Sequence, residues 1–206
     1  MSYTSIPSSS STPCRIYVAC LASYSSGILH GTWCDFTEDI QAQVNGMLRE
    51  SKYPNVMVEC PACRGTGCTS CADKGEVPSA EEWAIHDSEG FPPGYVKEHS
   101  GFDELADMAD LIDEQGLELV TAAMECTSST DVDSIRTMIE DNYCGAHGSL
   151  ADWAEEMCSD LYSGEMDKLP DFIKYHIDWA AVAQELLGGG YQEARINGTH
   201  HIFHND

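Results

Sequence analysis

Between Phe102 and Gly116 the chain reads FDELADMADLIDEQG, and this stretch limits the possible folds more than any other. Phe102, Leu105, Met108, Ala109, Leu111 and Ile112 recur at three- and four-residue spacing, as on a helix with one buried stripe. Asp103, Asp107, Asp110 and Glu114 recur at the same spacing on the other side, with no Lys or Arg in the stretch. At ~1.5 Å rise per residue, neighbouring carboxylates on that face stand about 4.5 to 6 Å apart along the axis. A stable solvated face pairs Glu with Lys at i,i+4, whereas like charges there cost about 0.2 to 0.5 kcal/mol per pair. Any fold that contains this helix must bury the stripe and point the acidic ladder outward.

The imbalance extends beyond one helix. Asp131, Asp133, Glu140 and Asp141 repeat it, as do Asp152, Glu155, Glu156 and Asp160. From residue 81 to Asp178 there are 25 acids against Lys97, Arg136, Lys168 and Lys174, a net of -21. The first fifty residues hold only four acids, so the excess is local and not the uniform acidity of a halophilic surface. The whole chain, at -25, lies far outside the magnitude of ~2 to 8 that keeps a small domain soluble. Disorder does not explain this, because 42% hydrophobic residues, including 4 Trp, 9 Tyr and 5 Phe, suffice to build cores. An acidic surface repels DNA and anionic lipid and attracts basic surfaces. B-DNA carries one charge per ~1.7 Å of axis, so a pair of such chains would match the charge of roughly 85 Å of duplex. No run of about 18 apolar residues is present, and the start, MSYTSIPSSSSTP, lacks a basic and an apolar leader region, so a cytoplasmic location is expected.

Along the chain, residues 1–13 are Ser- and Thr-rich and read as a flexible tail. RIYVACLASY and ILHGTWCDF suggest two strands joined by a short turn at SSG, and Thr37 is a plausible cap for a helix carrying Ile40, Val44, Met47 and Leu48. AEEWAIHD alternates as a strand would. Ser100 with Asp103 resembles a capping box, Gly116 a helix stop, and Thr130 a cap for DVDSIRTMIEDNY. Ser149 and Asp178 cap two further helices, and Asn197-Gly198 signals a type I′ hairpin between YQEARI and THHIFHN. The expected fold class is α+β, in three small domains: 14–98, sheet plus helix with an insertion over 54–78; 99–145, an acidic helical middle; and 146–206, helices plus a C-terminal hairpin.

The insertion carries CPACRGTGCTSC. Cys60, Cys63, Cys68 and Cys71 give C-x2-C-x4-C-x2-C, two pairs that can grip opposite sides of one tetrahedral Zn²⁺. Gly65 and Gly67 allow the tight reversal between the pairs. All four ligands are sulfur and no water-activating residue is obvious, so the expected zinc is structural, one per chain. The other cysteines, among ten, are scattered and read as buried or free thiols. His200 and His201 are strand neighbours that point to opposite faces, which argues against a second metal site; the same holds for His86 and Asp87 as an acid-base pair. No nucleophile elbow, P-loop or metallohydrolase signature occurs, and no catalytic residue is expected.

Four segments, RIYVACLASYSSGILHGTWCDF, AEEWAIHDSEGF, DNYCGAHGSLADWAEE and YHIDWAAVAQEL, resemble in order and spacing the signature segments of the ArdA antirestriction family. The resemblance runs from about Arg15 to the C-terminus and is interrupted by the cysteine insertion, which departs from the usual family pattern. It implies an elongated, three-domain, homodimeric inhibitor from a mobile genetic element. Such an inhibitor imitates bent B-DNA in the groove of Type I restriction-modification enzymes, formed by their DNA-recognition and methyltransferase subunits. Asp131, Asp133, Glu140 and Asp141 fall in the segment that resembles the family's antirestriction motif. A zinc-stabilised acidic adaptor for another basic DNA-binding protein is the alternative.

Overall fold

The computed structural model describes residues 12–36, 39–51, 57–60, 62–78 and 82–205. The chain forms two compact units, Met1–Asp113 and Glu114–Asp206. Most of the Ser-rich tail, together with Thr37 and residues 54–56 and 61 of the insertion, lies outside the described residues.

In the first unit β1 (Arg15–Cys20) is followed by α1 (Leu21–Ser25), β2 (Gly31–Asp35), α2 (Ile40–Glu50), β3 (Met57–Glu59), β4 (Glu76–Pro78) and β5 (Trp83–Glu89). Strands β2, β1 and β5 make one antiparallel sheet in that order, and β3 with β4 makes a separate ribbon. The central strand carries Ile16 and Val18, both fully buried, and α2 lays Ile40, Val44, Met47 and Leu48 against the sheet. Burying each such side chain contributes about 1.5 to 3 kcal/mol. The α2 cap is Asp39, whose Oδ1 accepts the Ala42 N–H at 3.0 Å.

Two local expectations change here. LASYS, expected within a strand, is the helical turn α1. Its Ser23 is drawn inward to Ser51, with the hydroxyl oxygens 2.6 Å apart, and Ser51 Oγ lies 3.2 Å from Cys20 Sγ. A polar pair from residues so distant in sequence is invisible to a local pattern. Strict alternation in AEEWAIHD also fails. Tyr17 pairs with Asp87 and Val18 with Ile85, which leaves His86 as the extra residue of a bulge. Ala84 and Ile85 are consequently both buried, while His86 and Asp87 are exposed.

The helix α3 (Phe102–Gln115) buries Leu105, Met108, Ala109, Leu111 and Ile112, and Phe102 stacks on Trp83 with ring centroids 4.7 Å apart. The Ser100 capping box does not form. The Ser100 hydroxyl instead accepts the Lys97 N–H, and the Gly101 carbonyl receives the Leu105 N–H.

The second unit contains α4 (Leu117–Thr127), α5 (Val132–Asn142), β6 (Tyr143–His147), α6 (Leu150–Leu161), α7 (Ser163–Met166), α8 (Asp171–Lys174), α9 (Trp179–Gly188), β7 (Tyr191–Ile196) and β8 (Thr199–His204). Its antiparallel sheet runs β6-β8-β7. Ile202 packs with Trp153, Ala154 and Ala183 from α6 and α9, and strand alternation turns His201 and Phe203 to the other face. Ser149 and Asp178 cap α6 and α9 as expected. The cap of α5 is Asp131, one residue beyond the expected Thr130; its Oδ2 accepts the Ser134 N–H at 2.9 Å. Asn197 and Gly198 both have positive φ, +51° and +90°, as a type I′ turn requires, and they join β7 to β8. Among the described residues no helix is long and apolar enough to cross a membrane.

The sheet of this unit holds a pH-sensitive group. His201 is 4% exposed; its Nδ1 lies 3.2 Å from the Tyr143 hydroxyl and its Nε2 is buried without a hydrogen-bond partner. Burial lowers its pKa below the usual 6.5, against a smaller opposing pull from Glu118. The folded state therefore favours the neutral ring. The stability this gives is complete above about pH 6.5 and is lost as pH falls toward the depressed folded value. Urea titrations should show the midpoint falling between pH 7 and pH 5, and His201→Phe should remove that part of the decline.

Candidate functional site

The acidic residues occupy three helices whose opposite faces are fixed by burial. On α3, Asp103, Asp107, Asp110 and Glu114 are exposed behind the buried stripe. On α5, Asp133 and Glu140 are exposed opposite the buried Ile135 and Ile139, with Asp131 at the cap and Asp141 in the last turn. On α6, Asp152, Glu155 and Glu156 are exposed around the buried Trp153 and Ala154. Burial of the apolar side holds each helix in place, so these charges are displayed on fixed supports.

Among the described residues, Glu114 and Glu156 are the two of these carboxylates within ion-pair distance of a basic group. Arg136 Nη1 lies 2.7 Å from Glu114 Oε2, and His147 Nδ1 lies 3.5 Å from Glu156 Oε2. The hydrogen bond to Glu114 raises the Arg136 pKa above its ordinary value. The expectation that the 102–116 ladder lacks any cation is corrected at this one position, by an arginine from α5. Asp131 is shifted the other way: the Ser134 hydroxyl and N–H bond its carboxylate and hold its pKa below the usual 3.8.

The four cysteines of the insertion come together. Their sulfurs all lie within 4.8 Å of one another, with Cys60–Cys68 at 3.9 Å, Cys63–Cys71 at 3.7 Å and Cys68–Cys71 at 3.8 Å. A tetrahedron with metal–sulfur bonds of ~2.3 Å has edges of about 3.8 Å, whereas a disulfide would need ~2.05 Å. The two pairs are built alike. The residue after each second cysteine, Arg64 and Ala72, adopts the left-handed conformation at φ +49°, which turns the chain back under the sulfurs. Backbone N–H groups point at the ligands: Gly67 to Cys63 Sγ at 3.2 Å, Cys68 to Cys71 Sγ at 3.2 Å and Gly75 to Cys71 Sγ at 3.3 Å. Burial opposes the Cys71 thiolate, but the N–H groups of Cys68 and Gly75 and the neighbouring thiols outweigh it and bring the pKa to about 6. Cys60 and Cys71 are each 1% exposed. Four soft donors in this geometry, with N–H groups aimed at them, fit a thiophilic metal ion. The Arg49 guanidinium donates to the Ser70 carbonyl at 3.3 Å and ties α2 to the insertion.

Sequence reasoning missed Gly75. Its φ is +74°, and a Cβ there would lie 2.3 Å from the Gly65 carbonyl oxygen, so the position accepts only glycine. A glycine four residues beyond the last ligand was the available signal. Of the remaining thiols, Cys14, Cys34 and Cys126 are pushed up to about 11 by burial, which keeps them protonated. Among the described residues no other cluster of His, Cys, Asp or Glu is arranged to hold a metal; His200 instead bonds Glu193.

No curated protein matches the chain. A profile of the family described as "Antirestriction protein (ArdA)" matches residues 16–199, a span that runs from β1 through the cysteine insertion and the acidic helices to the start of β8. The chain therefore belongs to the ArdA antirestriction protein family.

Proposed function

We propose that the chain is a non-catalytic DNA mimic that occupies the DNA-binding groove of a Type I restriction-modification enzyme, against its DNA-recognition and methyltransferase subunits. The observation that carries this reading is the set of exposed, largely unpaired carboxylates on helices whose other faces are buried. Lys and Arg in such a groove bind phosphates, and carboxylates on a rigid support offer the same charge and hydrogen-bond acceptors. Mimicry of the backbone bypasses sequence recognition, because phosphate contacts carry much of the affinity and no sequence information. Association is steered by charge and weakens with salt. The acting region comprises an N-terminal α+β domain, 14–98, an acidic helical domain, 99–145, and a C-terminal domain, 146–206, in the cytoplasm.

The metal at Cys60, Cys63, Cys68 and Cys71 is one structural Zn²⁺ per chain, which supplies cross-linking of the insertion and no reaction chemistry. The chain works as a homodimer through its C-terminal part. In support, Leu161, Tyr162, Phe172, Ile173 and Tyr175 expose large apolar surface there, 70% for Phe172 and 85% for Tyr175. Sedimentation should give twice the 22.5 kDa chain mass, and Phe172→Ser with Tyr175→Ser should shift the equilibrium toward monomer by at least tenfold, a loss of about 1.4 kcal/mol or more.

The direct biological test is plating efficiency of unmodified phage on hosts that carry a Type I enzyme, with and without this gene. Relief of restriction supports the proposal. Unchanged restriction overturns it and leaves the acidic adaptor for another basic DNA-binding protein as the reading to pursue.

A further inference from the structure

The first unit has a cleft of about 410 Å³ between the starts of α2 and α3. Its lining includes Phe36, Phe102, Ile40 and Ala106 together with Asp39 and Asp103, both of which are exposed. Both rings also pack on other aromatic side chains. Phe36 meets Phe91 edge to face with centroids 5.5 Å apart, and Phe102 stacks on Trp83. Asp39 uses Oδ1 to cap α2, which anchors its carboxylate. Among the described residues, no side chain lining the cleft is cationic.

This combination selects a ligand class. An anion meets two carboxylates and no cation. A wholly apolar group would dry the carboxylates without giving them a partner, which is unfavourable. A guanidinium or ammonium on an aliphatic stem answers both parts: the stem lies on Ile40 and Ala106, and the cation meets the rings and carboxylates. The volume sits at the low end of the ~300 to 1,000 Å³ typical of ligand pockets, which leaves room for such a side chain.

We infer that this cleft seats one Lys or Arg side chain projecting from the basic groove of the partner enzyme, and so adds a shaped anchor to an interface otherwise made of surface charge. The inference rests on the proposed DNA-mimic function for the identity of the partner, but the cleft's preference for a cationic side chain is testable without it.

The experiment titrates the full chain with N-acetyl-L-arginine amide and, separately, N-acetyl-L-leucine amide, observing the methyl group of Ala106 and the ring protons of Phe36 by NMR. The arginine probe should give saturable shifts at both residues and the leucine probe should not. Ala106→Leu, which intrudes on the cleft and leaves every charge in place, should abolish the shift at Phe36. It should also weaken binding to a Type I enzyme about tenfold while the salt dependence falls by no more than about one ion. Phe36→Leu, which keeps apolar bulk but removes a ring face, should weaken probe binding about two- to fivefold. Equal response to both probes, no response to arginine, or enzyme binding by Ala106→Leu at the native level overturns the inference. If the native chain binds no restriction enzyme yet the arginine probe still fills the cleft, the proposed function fails and the cation seat stands.

Discussion

Replacing Asp103, Asp107 and Asp110 together with Asn will weaken binding to a Type I enzyme about a hundredfold at low salt while leaving the chain at least as stable. The two effects have opposite signs for one reason. Within α3, Asp107 stands four residues from Asp103 and three from Asp110, and each such like-charge pair costs about 0.2 to 0.5 kcal/mol. Only Asp103, in the first turn, also gains from the helix dipole. Removing the charges relieves this repulsion. In the complex, three ion pairs at about 1 kcal/mol each amount to roughly a hundredfold in affinity. The dependence of log K on log salt should become shallower as the carboxylates are neutralised. Adding Glu114→Gln should bring little further weakening, because Arg136 already holds that carboxylate at 2.7 Å. Fluorescence binding across a salt series, beside urea denaturation of the same variant, checks both signs. Binding unchanged by the triple variant would show the face to be merely solvated.

Stripping the proposed zinc will unfold the insertion and spare the rest of the first unit. Metal analysis should find one Zn²⁺ per chain, lost on chelation or in Cys63→Ser. The amides of Gly67, Cys68 and Gly75, which donate to sulfur in the native state, should lose their protection from hydrogen exchange, while those of β1 keep theirs. Gly75→Ala should lower zinc affinity about 10- to 100-fold, as disruptions around a metal's ligands commonly do, because its Cβ would collide with the Gly65 carbonyl. The metal-free chain should retain inhibition within a few-fold, since the acidic residues proposed to meet the enzyme all lie outside the insertion. Native exchange protection throughout the insertion without metal would contradict a structural zinc.

Much of this architecture is legible where the determinant is local. Asn197-Gly198 specifies its hairpin because both residues tolerate positive φ, and the four-cysteine spacing specifies its cluster because each pair closes within one turn. Ser149 and Asp178 cap the helices that follow them. Caps are less certain where polar residues adjoin. Thr130 and Asp131 compete within one residue, and the carboxylate prevails by accepting both the N–H and the hydroxyl of Ser134. What escaped the sequence was set by distant partners: Ser51 pulls Ser23 into a helical turn, β1 forces a bulge at His86, and Arg136 neutralises Glu114. The acidic faces themselves were readable, since an amphipathic period fixes which side chains are outside. The cleft beside α3 was not, because its walls come from segments more than sixty residues apart.

The most direct measurement of DNA mimicry is equilibrium competition. A fluorescent duplex bound to a purified Type I enzyme is titrated with the chain, and anisotropy reports free and bound duplex. A DNA mimic will return the anisotropy to the value of free duplex, with a half-point that rises as the duplex concentration is raised. Inhibition of the enzyme with the duplex still bound, or displacement independent of duplex concentration, would contradict occupancy of the DNA groove.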